Sequence, residues 1–308
     1  MFGKWHNKIQ NKRTRLLILT SSYPSASDVV AQSFMTDLTE SLYKKNIDIF
    51  VVCPHQSGLP YREEFNNIII IRFPYWFTPS RQKLCEPGGI TSSLDTSFLA
   101  YIQLVPFCIC QFLTTLRTIK REKIDVLHSH WILPQGMIGG LIHMITGIPH
   151  VTSIHGTDIH LVYANKVFYP LMKIIAHYSD YLTANSRHTH RLLKDIISNM
   201  QNKTALIPMG IHPEQFTGEL PVKTGTEKTI LFVGRLIQLK GVSHLINAMH
   251  TIVSRGHKVR LLIIGNGPDK NILEHLTHEL GISSNVHFLG YMERRELLSC
   301  YKKADVFV

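Results

Sequence analysis

The stretch FVGRLIQLKG, from Phe232 to Gly241, joins the end of an apolar strand to a turn that carries two cations. Arg235 follows Gly234 directly, and Lys240 lies five residues further on. A turn from a strand into a helix presents free backbone N–H groups, and the helix dipole adds partial positive charge there. The pattern favours a strongly negative ligand, most simply a diphosphate. A lone Arg/Lys pair is more often two solvated surface charges, so the rest of the chain decides.

A second glycine-rich turn, Gly265-Asn266-Gly267-Pro268, follows the next apolar strand. Glycines there let a ligand approach the backbone closely. The turn does not fit a dinucleotide fingerprint, because Lys270 occupies the third glycine position and the turn does not follow the first strand of its domain. Together with the Arg/Lys turn, it predicts a nucleotide diphosphate without a nicotinamide.

Short apolar runs alternate with helical patterns along the chain, which predicts parallel sheets covered on both faces. The predicted strands are RLLILT, IDIFVVC, IIIIRF, DVLHSH, HVTSIHG, YLTANS, TALIPMG, TILFVG, VRLLIIG, VHFLG and DVFV. The segment 211–228 is rich in Pro and Gly and has little periodicity. We therefore predict an N-terminal Rossmann-like domain over residues 1–210, a linker over 211–228 and a second such domain over 229–308. In this α/β arrangement two doubly wound domains face each other across a cleft, and ligands bind at the carboxyl ends of the strands.

The net charge of +11 and the pI of about 9.4 imply polyanionic partners. The first acidic residue is Asp28, and the basic residues before it are Lys4, Lys8, Lys12, Arg13 and Arg15. Nucleic acid, an anionic membrane surface and phosphorylated substrates all fit this charge. No nucleic-acid-binding signature accompanies it, so we predict no nucleic-acid partner.

The segment Thr96–Leu116 contains no charged residue over 21 positions, which is long enough to span a bilayer. It also contains Gln103, Pro106 and Gln111. These polar and helix-disturbing residues favour a buried or interface-lying helix over a transmembrane span.

The five cysteines show neither a disulfide framework nor zinc-site spacing, which predicts buried thiols in a reducing compartment. The N-terminus is polar and basic, and its apolar run is too short for a cleavable signal. We therefore expect a cytoplasmic protein that contacts the inner face of the membrane peripherally.

The strand ends of the first domain are rich in histidine, in the segments HSHW and SIHGTDIH. His128 and His130 are two residues apart and face the same side of a strand. With His155 they could form a zinc site, but no matched cysteine or supporting pattern accompanies them, so no metal is predicted. A hydrogen-bonded structural role is the default for each histidine. His155 differs because Gly156 follows it, which leaves the ring open to the cleft.

Five segments in order carry a family resemblance: SIHGTD, IPMGIHPEQF, FVGRLIQLKG, IIGNGP and VHFLGYMERRELLSCYKKADVFV. Over nearly all of its length the chain resembles GT-B glycosyltransferases of the family 4 type. The resemblance implies a retaining enzyme of polysaccharide or glycolipid biosynthesis that needs no metal or other cofactor. It further implies a nucleotide-sugar donor and a lipid-linked or saccharide acceptor held by the first domain.

The resemblance also assigns roles to residues. Gly234, Arg235 and Lys240 would hold the donor diphosphate, where the two cations stabilise the leaving group. Gly265 and Gly267 would line the nucleotide pocket. His155 would contact the transferred sugar, and Asp158 would position that sugar or the acceptor.

Two departures from the family pattern qualify this prediction. The loop SSYPSASDVVAQSF has no glycine, and Ala31 occupies the position where relatives often have one. The sequence stops at Val308, before the Glu-Gly-x-Gly segment of the family, so we expect an incomplete second domain and impaired transfer. The alternatives are a non-catalytic remnant of a transferase and a GT-B sugar-nucleotide 2-epimerase. The epimerases match the domain layout but lack the GRLIQLKG and IPMGIHPEQF segments.

Overall fold

A computed structural model describes residues 13–25, 34–85, 89–211, 213 and 226–308. The chain divides into two compact units, Met1–Ile211 and His212–Val308. Each unit contains its own sheet, with helices connecting parallel strands. The predicted α/β class is confirmed in both units.

Among the described residues, the first unit has an eight-stranded sheet in the order β3-β4-β2-β1-β5-β6-β7-β8. Its strands are β1 (Thr14–Leu19), β2 (Ile47–Pro54), β3 (Arg62–Phe65), β4 (Ile68–Phe73), β5 (Val126–His130), β6 (His150–Ile154), β7 (Tyr181–Ala184) and β8 (Thr204–Leu206). All neighbouring strands are parallel except β3 and β4. Strand β3 was not predicted, because its sequence REEF has no apolar run and forms by pairing with β4 at the sheet edge.

The helices of the first unit are α1 (Phe34–Lys44), α2 (Gly89–Thr96), α3 (Phe98–Glu122), α4 (Met137–Thr146), α5 (Thr157–Ala164), α6 (Tyr169–His177) and α7 (Arg187–Ile196). Local signals set their ends. Lys123 adopts a left-handed conformation that closes α3 (φ 52°), and Gly147 does the same for α4 (φ 68°). Ser186 caps α7 by accepting a hydrogen bond from the backbone N–H of Thr189.

Strand β1 shows why the strands of this sheet are continuously apolar. Leu17 and Leu19 pack in one buried cluster, which includes Phe107 of α3. Leu16 and Ile18 pack in another on the opposite face, which includes Met35 of α1. Successive side chains of a strand point to opposite faces, and both faces are covered here.

The second unit has a parallel sheet in the order β11-β10-β9-β12. Its strands are β9 (Lys228–Val233), β10 (Val259–Ile264), β11 (Val286–Gly290) and β12 (Val306–Phe307), and its helices are α8 (Val242–Ser254), α9 (Lys270–Glu279) and α10 (Arg294–Lys303). All four strands predicted in this region are present. β9 begins at Lys228, the last residue of the predicted linker. Most of that linker, residues 212 and 214–225, lies outside the described residues.

Helix α3 is long and apolar enough to cross a membrane by length and composition. One of its faces packs inside the unit, where Gln103, Phe107 and Gln111 are buried. The side-chain amide of Gln103 donates to the carbonyl of Arg81 (2.7 Å) and accepts from the backbone N–H of Lys83 (2.8 Å). Gln103, one of the polar residues that argued against a span in the sequence, therefore anchors the helix to its own domain.

Two of the five basic residues assigned to an N-terminal tail belong to the fold. Arg13 pairs with Asp48 (3.3 Å) and lies over the ring of Tyr43. Arg15 belongs to β1, and its guanidinium donates to the carbonyl of Glu122 (2.7 Å). The other three basic residues, together with Asp28 and Ala31, lie outside the described residues.

The cysteines are free thiols. Burial raises the pKa of Cys53 to about 11, so this thiol stays protonated at neutral pH. Cys108 and Cys110, predicted to be buried, are half-buried, because α3 presents one side to solvent.

Candidate functional site

The candidate site of the first unit forms where β5 and β6 end side by side. Trp131 follows β5 with a φ of 72°, which is rare for a bulky residue. Its backbone N–H donates to the carbonyl of Ser153 on β6 (2.9 Å). His155 follows β6, and Gly156 then turns the chain into α5 with a φ of 97°. This backbone conformation accounts for a glycine at position 156.

His155 makes its closest side-chain contact with another histidine. Its Nε2 lies 2.9 Å from Nδ1 of His130, and the two rings are stacked at 5.1 Å. The rings of Phe34 and Trp131 approach His155 at 5.3 and 4.9 Å. Burial lowers the pKa of His155 to about 4, and burial with the neighbouring histidines lowers that of His130 well below its usual value. Both rings are therefore neutral at neutral pH, and one donates to the other.

His128 extends this row of imidazoles without completing a metal site. Its ring lies 4.4 Å from that of His130, as the two-residue spacing predicted. Its Nε2 is 2.8 Å from the hydroxyl of Ser153, which in turn bonds Thr183 (2.6 Å). Burial lowers the pKa of His128 to about 3. Within the part of the chain that the structure describes, no group of three or more His, Cys, Asp or Glu residues could hold a metal ion.

Asp158 lies in the first turn of α5 and joins the two strand ends. Its Oδ2 accepts the backbone N–H of Ile132, and its Oδ1 accepts those of His155 and Ile159, each at 3.0 Å. Burial raises the pKa of this carboxyl, and the backbone donors act in the opposite direction. The carboxylate thus holds the loop after β5 against the loop after β6. The geometry gives Asp158 a positioning role, and its predicted contact with sugar or acceptor stays a prediction.

A pocket of about 210 Å³ opens beside these residues. It is lined by Ser21, Ser22, Gly89, Ile90, Trp131, Ile132, Leu133, Gln135, Thr157, Asp158 and Leu161. The lining combines three hydroxyl side chains, one amide, one carboxylate and one indole with four aliphatic side chains, and it includes no cation. Such a site suits an uncharged molecule with several hydroxyl groups.

In the second unit, the FVGRLIQLKG stretch forms the connection from β9 to α8. Gly234 and Arg235 follow the last residue of β9, and Lys240 ends a short 3-10 turn. Gly241 has a φ of 64° and immediately precedes α8. The side chains of Arg235 and Lys240 are exposed at the carboxyl end of the sheet, as the sequence predicted.

The loop after β10 interlocks with this connection. The backbone N–H of Leu236 donates to the carbonyl of Asn266 (3.0 Å). A Cβ atom on Gly265 would lie 2.0 Å from the carbonyl oxygen of Gly234, and one on Gly267 would lie 2.1 Å from that of Leu236. Close packing between the two loops therefore accounts for both glycines. The sequence had attributed them to the approach of a ligand, and that part of the prediction stays untested.

Sequence reasoning grouped His130 with His155 only as part of a zinc site that it rejected, and it missed Trp131 as a neighbour of His155. The only available signal was their position at the end of a strand next to the one that ends in His155. Their side chains meet because β5 and β6 pair in parallel, with His130 opposite Ser153. This register could not be read from either segment separately.

Two family models match the chain. Residues 100–215 match Glycosyltransferase Family 4, and residues 219–308 match Glycosyl transferases group 1. The chain belongs to the family 4 glycosyltransferases. The predicted family is thereby confirmed, and the two matched regions together contain every residue assigned to the site.

A solved structure confirms the GT-B fold of this family 4 glycosyltransferase. Anabaena Alr3699/HepE in complex with UDP and glucose matches 96% of this chain and 73% of its own, with a TM-score of 0.66 and 14% identity. At this identity the likeness shows the fold alone.

Sequence relatives point to the same family. An uncharacterized glycosyltransferase of Methanocaldococcus jannaschii, MJ1607, is 32% identical over 204 residues, which cover 61% of this chain and 52% of that protein. The chain thus spans about half the length of MJ1607. The alpha-monoglucosyldiacylglycerol synthase of Acholeplasma laidlawii is 26% identical over 319 residues, which cover 96% of this chain and 74% of the synthase.

Proposed function

We propose that this protein transfers a sugar, with retention of anomeric configuration, from a nucleotide-diphosphate-sugar donor to a lipid-linked or saccharide acceptor. The observation that carries the proposal is the pair of exposed cations, Arg235 and Lys240, on the connection from β9 to α8. Two cations on one strand-end turn match a diphosphate in charge. The complex of HepE with UDP and glucose supports a donor of this class.

In this proposal Arg235 and Lys240 act on the leaving group. Negative charge grows on the diphosphate as the bond to the sugar breaks, and fixed cations stabilise that charge most in the transition state. Because two protein cations supply this compensation, the proposed reaction needs no metal ion.

The site of the first unit would hold the uncharged partners. His155 and the pocket beside Asp158 offer neutral hydrogen-bonding groups, which suit the hydroxyls of a sugar or of an acceptor. The pocket is smaller than the roughly 300–1,000 Å³ typical of sites that enclose drug-sized ligands, so it suits one ring or the end of a larger acceptor. Asp158 would act by positioning the loop that carries His155.

The acceptor class is supported by the relatives. The Acholeplasma laidlawii protein is named for the synthesis of a glycosylated diacylglycerol. A lipid acceptor places the reaction at a membrane surface, and we propose the cytoplasmic side, with peripheral contact, as the location.

Isothermal titration with nucleoside diphosphates, UDP first, tests the donor site. Arg235→Ala and Lys240→Ala should each weaken binding by about 10- to 100-fold, since each removes a charge-assisted contact with phosphate. Lys258→Ala removes an exposed cation after α8 and is the matched control. Unchanged affinity in both site variants would refute this donor site.

His155→Ala tests the division of roles between the two units. It should lower turnover much more than diphosphate affinity, because its proposed partner is the sugar. Equal losses in turnover and affinity would instead make His155 a purely structural residue.

The non-catalytic alternative is tested on the 308-residue polypeptide itself. The alignment with the alpha-monoglucosyldiacylglycerol synthase of Acholeplasma laidlawii covers 74% of that synthase. For the 308-residue polypeptide we expect diphosphate binding with weak turnover. Turnover and diphosphate affinity are measured for the 308-residue polypeptide and for a version extended with the homologous C-terminal segment of that synthase. Robust turnover by the shorter chain would contradict the expected impairment, and binding without turnover in both would favour the non-catalytic alternative.

A further inference from the structure

The outer side of α3 is an apolar stripe. The exposed residues Phe98, Ile102, Val105, Ile109 and Leu113 follow one another at helical spacing, and Val105 is 65% exposed. The helix has 25 residues, so it is roughly 37 Å long. An amphipathic surface helix turns its apolar side to the core and its polar side to water. Helix α3 is apolar on the side that faces solvent as well.

Helices α4 and α6 continue this apolar surface. Leu141, Met144 and Ile145 of α4 and Ile174 of α6 are all more than 40% exposed. A groove of about 560 Å³ lies between the three helices. Its lining includes Ile109, Phe112, Leu141, Met144, Leu171 and Ile174. Apolar patches that extend well beyond a few hundred Å² on a soluble domain mark a surface that binds something.

The two ends of this apolar surface differ in their flanking residues, with cations at one end and aromatic residues at the other. Arg117, Lys120 and Arg121 are exposed in the last turns of α3, and Lys173 is exposed on α6. Glu122, which pairs with Arg62 and Arg121, is the only acidic residue on α3, α4 and α6. The opposite end of the stripe has aromatic residues, with Phe98 at 81% and Tyr101 at 55% exposure.

We propose that the outer face of α3, α4 and α6 seats this unit on a lipid bilayer that contains anionic lipid, with acyl chains entering the groove. Apolar side chains bordered by cations and aromatic rings are the pattern of helices that lie in a membrane interface. A second copy of the chain is disfavoured, because the face offers its cations no acidic partner apart from Glu122.

Helix α3 lies in the interface and does not leave its domain to span the bilayer. Its inner face is held by the hydrogen bonds of Gln103 and by the packing of Phe107 against the rings of Phe73 and Tyr75. Removing this face would unpair buried amide groups and expose the centre of the sheet. The outer stripe is the part that can enter lipid without unfolding.

This inference deepens the proposed function, since it gives a transferase with a lipid-linked acceptor its membrane surface. Vesicle binding is measured without donor or acceptor. The proposal of a docking face and the proposal of a transferase function can therefore be refuted independently of each other.

Flotation of the 308-residue protein with vesicles tests the face. Vesicles of phosphatidylcholine with 30 mol% phosphatidylglycerol should bind the protein, and pure phosphatidylcholine should bind it much less, with salt weakening the difference. The double variant Val105→Asp/Ile109→Asp should lower the partition coefficient roughly tenfold or more, because it places charges in the apolar stripe. The control Ile272→Asp changes a 70% exposed aliphatic residue on α9 of the other unit and should have no effect.

A charge-reversed pair separates the cations of α3 from the basic residues before β1. Arg117→Glu/Lys120→Glu should weaken binding to anionic vesicles by about fivefold or more per residue. The matched control, Arg255→Glu/Lys258→Glu, alters exposed cations of the second unit. If the α3 pair and its control lose binding equally, only the net charge matters and the proposed face is wrong.

Two further measurements complete the test: dye fluorescence reports contact with lipid, and light scattering reports dimer formation. An environment-sensitive dye on Val105→Cys should shift to the blue with anionic vesicles. Wild-type protein that binds no vesicles, but forms a dimer that Val105→Asp/Ile109→Asp dissociates, would make the face a self-association surface and overturn the proposal. The far-ultraviolet circular dichroism of each variant must match that of the wild type, and only exposed positions are changed for that reason.

Discussion

The loop from β6 to α5 in the first unit and the connection from β9 to α8 in the second each follow the carboxyl end of a strand in a parallel sheet. Their chemistry is opposite. The first is half-buried, aromatic and neutral, and Asp158 fixes it through three backbone N–H groups. The second is exposed and cationic, and close backbone packing fixes it. The carboxyl end of a parallel strand can thus carry neutral or cationic groups, depending on what fills the turn.

The largest effect should come from the packing of the second unit. Gly265→Ala puts a Cβ atom at 2.0 Å from the carbonyl oxygen of Gly234, in a residue whose φ is 130°. Steric overlap and an unfavourable backbone conformation together should destabilise this unit by about 3 kcal/mol or more. Hydrogen exchange of β9 and β10 measures the loss.

Gly210→Ala is the control for this substitution, because a Cβ atom there meets nothing within 4 Å. Equal exchange protection in Gly265→Ala and the wild type would show that the loops can separate. The glycine would then have to be explained by a ligand, as the sequence first suggested.

The next effect tests the carboxylate that fixes the first unit. Asp158→Ala leaves the backbone N–H groups of Ile132 and His155 without their acceptor, and it should destabilise this unit by about 2–3 kcal/mol. All three tryptophans of the chain precede residue 212, so tryptophan fluorescence during urea unfolding reports on this unit. Asp195→Ala, at an exposed position of α7, is the control. Similar unfolding midpoints for the two variants would contradict the positioning role.

The smallest effect is the change in stability that one histidine contributes over a single pH unit. Burial lowers the pKa of His128 to about 3 and that of His155 to about 4, against about 6.5 in an unfolded chain. Below pH 6.5 the unfolded chain therefore binds protons that the folded unit excludes, so stability falls as the pH drops from about 6.5 towards 4. Each such histidine contributes about 1.4 kcal/mol per pH unit.

Urea titrations of the wild type and His128→Asn between pH 4 and 6.5 measure this slope. The variant lacks one excluded proton and should lose stability less steeply on acidification. Identical slopes would mean that His128 already takes up a proton in the folded state.

The strands could be predicted because burial on both faces forces continuous apolar sequences, as in β1. Strand β3 could not, since REEF is a strand only by virtue of its partner β4. The positions of Arg235 and Lys240 followed from a strand, a turn and a helix that are adjacent in sequence. Local patterns therefore located the cationic turn correctly.

The neutral site was harder to predict because its contacts join segments distant in sequence. The hydrogen bond between His130 and His155 spans 25 residues, and the bond from Ile132 to Asp158 spans 26. Both depend on the register of β5 against β6, which neither segment encodes by itself. The sequence indicated that a glycine is needed at position 265, but it did not give the reason. A side chain there would collide with a neighbouring carbonyl group that only folding brings close.

The interlocked loops after β9 and β10 have a consequence for how the proposed donor site can evolve. Carbonyl oxygens of Gly234 and Leu236 occupy the space that side chains at positions 265 and 267 would need, whereas Asn266 between them is exposed to solvent. Substitutions that alter the proposed nucleotide site must therefore enter through position 266 or through other loops. A library randomised over 265–267 and selected for folding should return glycine at both ends and variety in the middle. The specificity of this region can diversify only around a fixed pair of glycines.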